Sequence, residues 1–261
     1  METSTGTPHR HVVYPEGKEV ALYATNPAPQ APTFVLVHGI GTSHRYFARL
    51  HAELHSVGDT VSIDLPGFGG VDKPGETLAV EDHARVLGVL FDSFGWGPVV
   101  LVGHSMGAEV VTELARVRPD LVSHLVLIGP VTDPRRATAV QQGLALGRDT
   151  LREPLAGNLL VFADYLRCGP RYFLAQLPSM LAYRTDLAIR EVAAPALVVR
   201  GGNDPVARPS WCQRIVSQAV DGQLLDLPGH RHLVQFSAAT ETAEGIVAFV
   251  HSRPVVEIDA L

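Results

Sequence analysis

The stretch Val99-Val100-Leu101-Val102-Gly103-His104-Ser105-Met106-Gly107 decides how the rest of the chain is read. Four apolar residues run directly into Gly-x-Ser-x-Gly, and a helix-forming segment, Ala108 to Val117, follows without a break. A buried strand, a sharp turn and a helix in that order are what a nucleophile elbow needs. Gly103 and Gly107 carry no Cβ, so strand and helix can close tightly on the turn. Ser105 is then expected in a strained backbone conformation, at a cost on the order of 1–3 kcal/mol. In return its Oγ stands clear of the sheet and the Met106 N–H faces the reacting centre.

Outward from this point, strand and helix patterns alternate. Phe34-Val35-Leu36-Val37, Thr60-Val61-Ser62-Ile63, Leu125-Val126-Leu127-Ile128, Pro195 to Arg200 and Gln223 to Leu227 are short runs fit for a sheet covered on both faces. Segments with helical spacing separate them: Tyr46 to Ser56, Leu78 to Phe94, Trp211 to Ala219, and about Ser237 to His251 with Ser237 as candidate N-cap. The fold class is therefore α/β, a mostly parallel central sheet with helices on both faces. Two shorter strands, Val12 to Tyr14 and Glu19 to Tyr23, precede it, and residues 1–10 and 255–261 read as tails. Between 131 and 191 strand signals vanish, and apolar helical stretches are punctuated by Gly143, Gly147, Pro154, Gly157, Gly169-Pro170 and Pro178. That stretch is expected to be an inserted helical cap on a core made of residues 1–130 and 192–261.

Composition narrows the function. With 46% hydrophobic and 18% charged residues, the 261-residue chain has the make-up of a globular protein with a sizeable core. Its 21 basic and 27 acidic residues give a net charge of −6 without a run of one sign, which argues against nucleic acid as a partner. Met1 to Arg10 shows no secretory signal, and no 18-residue window suits a membrane span, so a cytoplasmic location is expected. Cys168 and Cys212, the only cysteines, show no metal or redox spacing and read as reduced thiols. A small-molecule substrate and no metal or organic cofactor are expected; monomer and homodimer are equally open.

Several loops at the carboxyl ends of these strands carry chemistry. His38-Gly39-Ile40-Gly41 can aim N–H groups outward, with Ile40, or else Gly41, as an oxyanion donor beside Met106. Gly202-Asn203-Asp204-Pro205 places an aspartate just past a strand, and Pro228-Gly229-His230-Arg231-His232 supplies two histidines. A serine needs a base, and a histidine needs a carboxylate to hold its tautomer. Asp64, in Asp64-Leu65-Pro66-Gly67-Phe68-Gly69, reads instead as a residue that braces its loop. His104 is expected to pack beneath the site.

Together these motifs resemble the α/β-hydrolase superfamily from about residue 12 to 252, in its serine-nucleophile, esterase- and thioesterase-like branch with a helical cap. The resemblance implies a triad of Ser105, Asp204 and His232. His232 follows from the form Pro-Gly-x-x-His, with His230 as the alternative from a Gly-His form, and Asp133 is the alternative acid. It further implies acyl transfer to water through an acyl-enzyme, the apolar cap suggesting a small to medium hydrophobic carboxylic ester. An acyl thioesterase, a carbon–carbon bond hydrolase, a hydroxynitrile lyase, a perhydrolase and a non-catalytic ligand-binding protein are the competing expectations. Tyr165, Phe173, Met180 and Tyr183 of the cap, with His230, are the candidate substrate contacts.

Overall fold

Alternation along the buried strands sends successive side chains to opposite faces of a sheet, and this chain fills both sides. The computed structural model describes residues 8–25, 32–136 and 155–254. Its sheet contains β1 (His9–Val13), β2 (Val20–Ala24), β3 (Thr33–Val37), β4 (Asp59–Asp64), β5 (Val99–His104), β6 (Val122–Ile128), β7 (Ala196–Gly201) and β8 (Gly222–Leu227). The order across it is β1-β2-β4-β3-β5-β6-β7-β8. β1 and β2 are antiparallel, as are β2 and β4, and every other pair is parallel. His9 and Arg10, expected in a loose tail, belong to β1 because they pair with Ala24 and Tyr23 of β2.

Val35, Val37, Leu101, Leu125, Leu127 and Val198 enter one core, with α2 (Val80–Phe94), α3 (Met106–Val117) and α7 (Pro209–Gln218) packed over it. Phe34, Leu36, Val100, Val102, Val126, Ile128, Leu197 and Val199 enter the other, beneath α1 (Ala48–His55) and α9 (Ala239–Ser252). The chain passes from β4 over β3 to β5, so the strand order reverses between β3 and β5. Loops leave the sheet in opposite senses at such a point and open a crevice at the carboxyl ends of the strands. The register Val37 to Gly103 brings the His-Gly loop and the elbow out side by side there.

Of the stretch read as a cap, the described part forms α4 (Leu155–Cys168), α5 (Pro170–Ala182) and the single turn α6 (Thr185–Ala188). Gly143, Gly147 and Pro154 lie outside the described residues, as do residues 255–261. Gly169-Pro170 does separate two helices, with the proline at the first position of α5, where its missing N–H costs nothing. Gly157 and Pro178 do not act as breaks. Gly157 sits inside α4, where a Cβ would come within 3.2 Å of Leu233 and Phe236, so close packing accounts for it. Pro178 lies inside α5 on its exposed side and removes only the bond to the Leu174 carbonyl, on an equally exposed residue.

Ser237 is also not the cap of the last long helix. It ends the short turn α8 (Val234–Ser237), α9 starts after Ala238, and no side chain caps it. Cys168 and Cys212 are both free and buried.

Candidate active site

Ser105 sits between β5 and α3 with φ 57° and ψ −122°, a left-handed conformation that side chains rarely adopt. Its N–H donates to the Ile128 carbonyl at 3.0 Å, which pins the turn to β6. The flanking glycines are sterically required: a Cβ at Gly103 would overlap the Gly107 carbonyl, and one at Gly107 would overlap the Val37 and His38 carbonyls. Met106 is the first residue of α3, so its N–H has no intrahelical acceptor.

The loop after β3 comes within contact of the elbow, since a Cβ at Gly39 would stand 2.9 Å from that of Ser105. Gly39 N–H is committed to Tyr46 Oη at 2.6 Å. The Gly39 carbonyl accepts from His38 Nδ1 at 2.8 Å, from Thr42 Oγ1 at 2.9 Å and from Thr42 N–H at 3.3 Å. That carbonyl shares a planar trans peptide with the Ile40 N–H, so anchoring one directs the other to the opposite side. His38 can fill this role in one tautomer only. Its Nε2 accepts from Leu65 N–H at 3.1 Å, so the proton is on Nδ1. Burial lowers the His38 pKa, keeping that neutral form.

Asp204 and His232 meet from the loops after β7 and β8. His232 Nδ1 lies 2.9 Å from Asp204 Oδ2, while Asp204 Oδ1 accepts from Val206 N–H at 2.7 Å and Ala207 N–H at 3.1 Å. Burial alone would raise the Asp204 pKa; the charge and hydrogen bond of His232 and the two backbone donors outweigh it and hold it below the ordinary value. His232 in turn closes on the elbow around Gly129, where a Cβ would meet His232 Cε1 at 3.1 Å and His104 Nε2 at 3.4 Å. Gly129 directly follows Ile128, whose carbonyl holds Ser105. His230 is instead bonded through Nδ1 to Ser237 Oγ at 3.1 Å. Asp133 is taken by the Arg208 guanidinium and by Arg135 N–H, so it does not face a histidine.

Of the residues expected in a cap, Tyr165 and Phe173 come to the loop after β3. Their rings, in edge contact at 5.2 Å, lie over Gly41, with Tyr165 Cδ1 and Phe173 Cδ2 at 2.7 and 2.8 Å from where its Cβ would be. Burial pushes the Tyr165 hydroxyl up to about 12. Met180 is buried in the core, its carbonyl accepting from Thr132 Oγ1. Tyr183 is tied to α3, its hydroxyl donating to Glu113 at 2.9 Å. Asp64 braces a loop as expected, but the partner is His44 in the preceding loop, through N–H at 2.6 Å and Nδ1 at 2.9 Å. Tyr46 and His38 were not singled out by sequence reasoning; the only local signal is the position of His38 in the His-Gly pair.

The sequence profile of the Alpha/beta hydrolase family matches residues 34–245. The chain belongs to that family. Among similar proteins, this α/β hydrolase is 27% identical to the 2-(acetamidomethylene)succinate hydrolase of Mesorhizobium japonicum, over 84% of this chain and 88% of that one. It is 23% identical to the (E)-2-((N-methylformamido)methylene)succinate hydrolase of Acinetobacter baylyi, over 84% and 90%. In fold it is similar to a solved enol-lactonase from Burkholderia xenovorans, with a TM-score of 0.79 at 18% identity over 92% and 100% of the two chains. A serine hydrolase involved in carbazole degradation gives the same TM-score and identity over 94% and 100%. No helix among the described residues is long and apolar enough to cross a membrane, and the described residues contain no cluster of side chains able to hold a metal ion.

Proposed function

We propose that this α/β hydrolase cleaves a small to medium hydrophobic carboxylic ester by acyl transfer to water. The observation that carries the reading is the Asp204–His232 pair, buried and bonded at 2.9 Å, with the His232 ring packed on Gly129, next to the Ile128 carbonyl that holds the strained Ser105. In this reading the protonated Nδ1 donates to Asp204, which leaves Nε2 free of a proton to act as base. Ser105 Oγ, losing its proton to His232 Nε2, attacks the carbonyl carbon. The Ile40 and Met106 N–H groups receive the oxyanion; each such donor is typically worth ~2.7–4 kcal/mol. His232 then protonates the leaving alcohol, and a water activated by the same nitrogen hydrolyses the acyl-enzyme. Tyr165 and Phe173 supply an apolar wall over the oxyanion loop, which is why a hydrophobic acyl group is favoured over a charged one. The described helices α4 and α5, within the expected cap, carry them.

Cleavage of a carbon–carbon bond on the same three side chains is the competing reading. The names of the relatives, hydrolases of succinate derivatives and an enol-lactonase, keep a carboxylate-bearing or enolic substrate in view. One panel separates these: p-nitrophenyl esters of graded chain length, an acyl-CoA, a cyanohydrin and a vinylogous diketone, assayed with the parent and with Ser105→Ala. Turnover of the esters that peaks at intermediate chain length and vanishes in Ser105→Ala is expected. Ester turnover unaffected by Ser105→Ala, or activity confined to the diketone, would overturn the proposal.

A further inference from the structure

Beneath the proposed site runs a set of hydrogen bonds that the triad chemistry leaves unused. Gly39 N–H lies 2.6 Å from Tyr46 Oη, Tyr46 Oη lies 2.9 Å from His104 Nδ1, and His104 Nε2 lies 3.0 Å from the His232 carbonyl. The two ends fix the direction of every proton. A backbone N–H can only donate and a carbonyl can only accept, so His104 carries its proton on Nε2 and its Nδ1 is bare. Tyr46 must then donate to that Nδ1 while accepting from Gly39. We propose that Tyr46 and His104 are positioning residues, which through this one-directional chain hold the Ile40 oxyanion donor and the His232 base at a fixed separation across the elbow. The proposal rests on the serine-hydrolase reading above.

Three further features support it. The chain joins loops that the sheet keeps apart, one following β3 and the other β8, at opposite sides of the strand that bears Ser105. Tyr46, His104 and His232 are all almost completely buried, so water does not compete for these bonds. The rings also pack to fit it: His104 meets Tyr46 edge-on at 5.2 Å and His232 at 4.8 Å between centroids. Burial brings the His104 pKa down to about 3 and raises that of Tyr46, so neither group ionises near neutrality and the proton order is preserved. The titratable groups facing His104 are Tyr46 and His232 in contact, with Asp204 and His38 beyond them.

The test uses the full chain with Tyr46→Phe, His104→Gln and His104→Asn. Tyr46→Phe removes the acceptor for Gly39 and the donor to His104. His104→Gln can keep a donor for the His232 carbonyl, and His104→Asn an acceptor for Tyr46. Expected for Tyr46→Phe is a fall in kcat of about tenfold or more, as for a lost buried hydrogen bond, with KM within about twofold. His104→Asn should also move the acid limb of the kcat/KM profile, and His104→Gln should restore that limb. In parallel, imidazole ¹⁵N spectra of the parent should show His104 as the neutral Nε2–H tautomer from pH 5 to 8. An Nδ1–H or charged His104 overturns the proposal without reference to activity, as does a folded Tyr46→Phe with kcat within twofold of the parent. If instead the spectra are as expected but the parent neither turns over esters nor reacts with a fluorophosphonate, it is the serine-hydrolase reading that fails.

Discussion

Replacing Asp204 by Asn removes one charge and almost no volume, so its effect can be worked from the bonds the carboxylate makes. Oδ1 accepts from the Val206 and Ala207 N–H groups at 2.7 and 3.1 Å. An asparagine carbonyl oxygen keeps both, which forces the amide nitrogen towards His232. An N–H facing Nδ1 favours the tautomer with the proton on Nε2, and that His232 cannot take a proton from Ser105. The loss in kcat should be on the order of 10⁴-fold, as when other triads lose this carboxylate. Stability should fall far less: one charge-assisted bond is replaced by a neutral one, a difference of about 1–2 kcal/mol. Steady-state ester hydrolysis and urea unfolding of the same preparation give both numbers. A variant that folds normally and retains kcat within tenfold would refute the assignment of His232 and Asp204 as base and orienting acid.

Two further expectations follow from packing and burial. Gly129→Ala introduces a Cβ at φ 53°, 3.1 and 3.2 Å from His232 Cε1 and Nδ1. The left-handed backbone costs about 1–2 kcal/mol, and the displaced imidazole should lower kcat by about tenfold or more; a denaturation midpoint and kcat both equal to the parent's would show that His232 does not close on this position. Burial lowers the pKa of His51 and His83 to about 4 and that of His104 to about 3. These folded values lie below that of an unfolded histidine, so the stability they contribute is complete above about pH 6.5 and is lost as pH falls from there. Each should cost about 1.4 kcal/mol per pH unit below that point, and equal urea midpoints at pH 7.5 and 5.5 would contradict the burial of these rings.

The elbow could be read from sequence because its determinants are local: an apolar strand, two glycines that steric overlap enforces, and a helix that starts at once. The loops that bear Ser105, Asp204 and His232 were legible for the same reason, each following a strand. Asp133 and Asp204 could not be separated that way, since both follow strands of one sheet; what separates them is Arg208, seventy-five residues from Asp133, which occupies its carboxylate. Gly157 and Pro178 looked like helix breaks because propensity is a local preference, and packing against Leu233 and Phe236 overrides it at the first. Ser237 has the residue type of an N-cap, but its hydroxyl is bonded to His230. The link from Tyr46 to His104 spans fifty-eight positions, and no spacing rule reaches from the turn after β3 to the end of β5.

In the proposed mechanism Ser105 alone is nucleophilic, and covalent trapping reads this without knowledge of the substrate. Intact-mass and peptide mapping after reaction with a fluorophosphonate should show one adduct, on the peptide bearing Ser105, absent from Ser105→Ala and strongly slowed in His232→Ala. An adduct that persists in Ser105→Ala, or a parent protein left unlabelled, would contradict it.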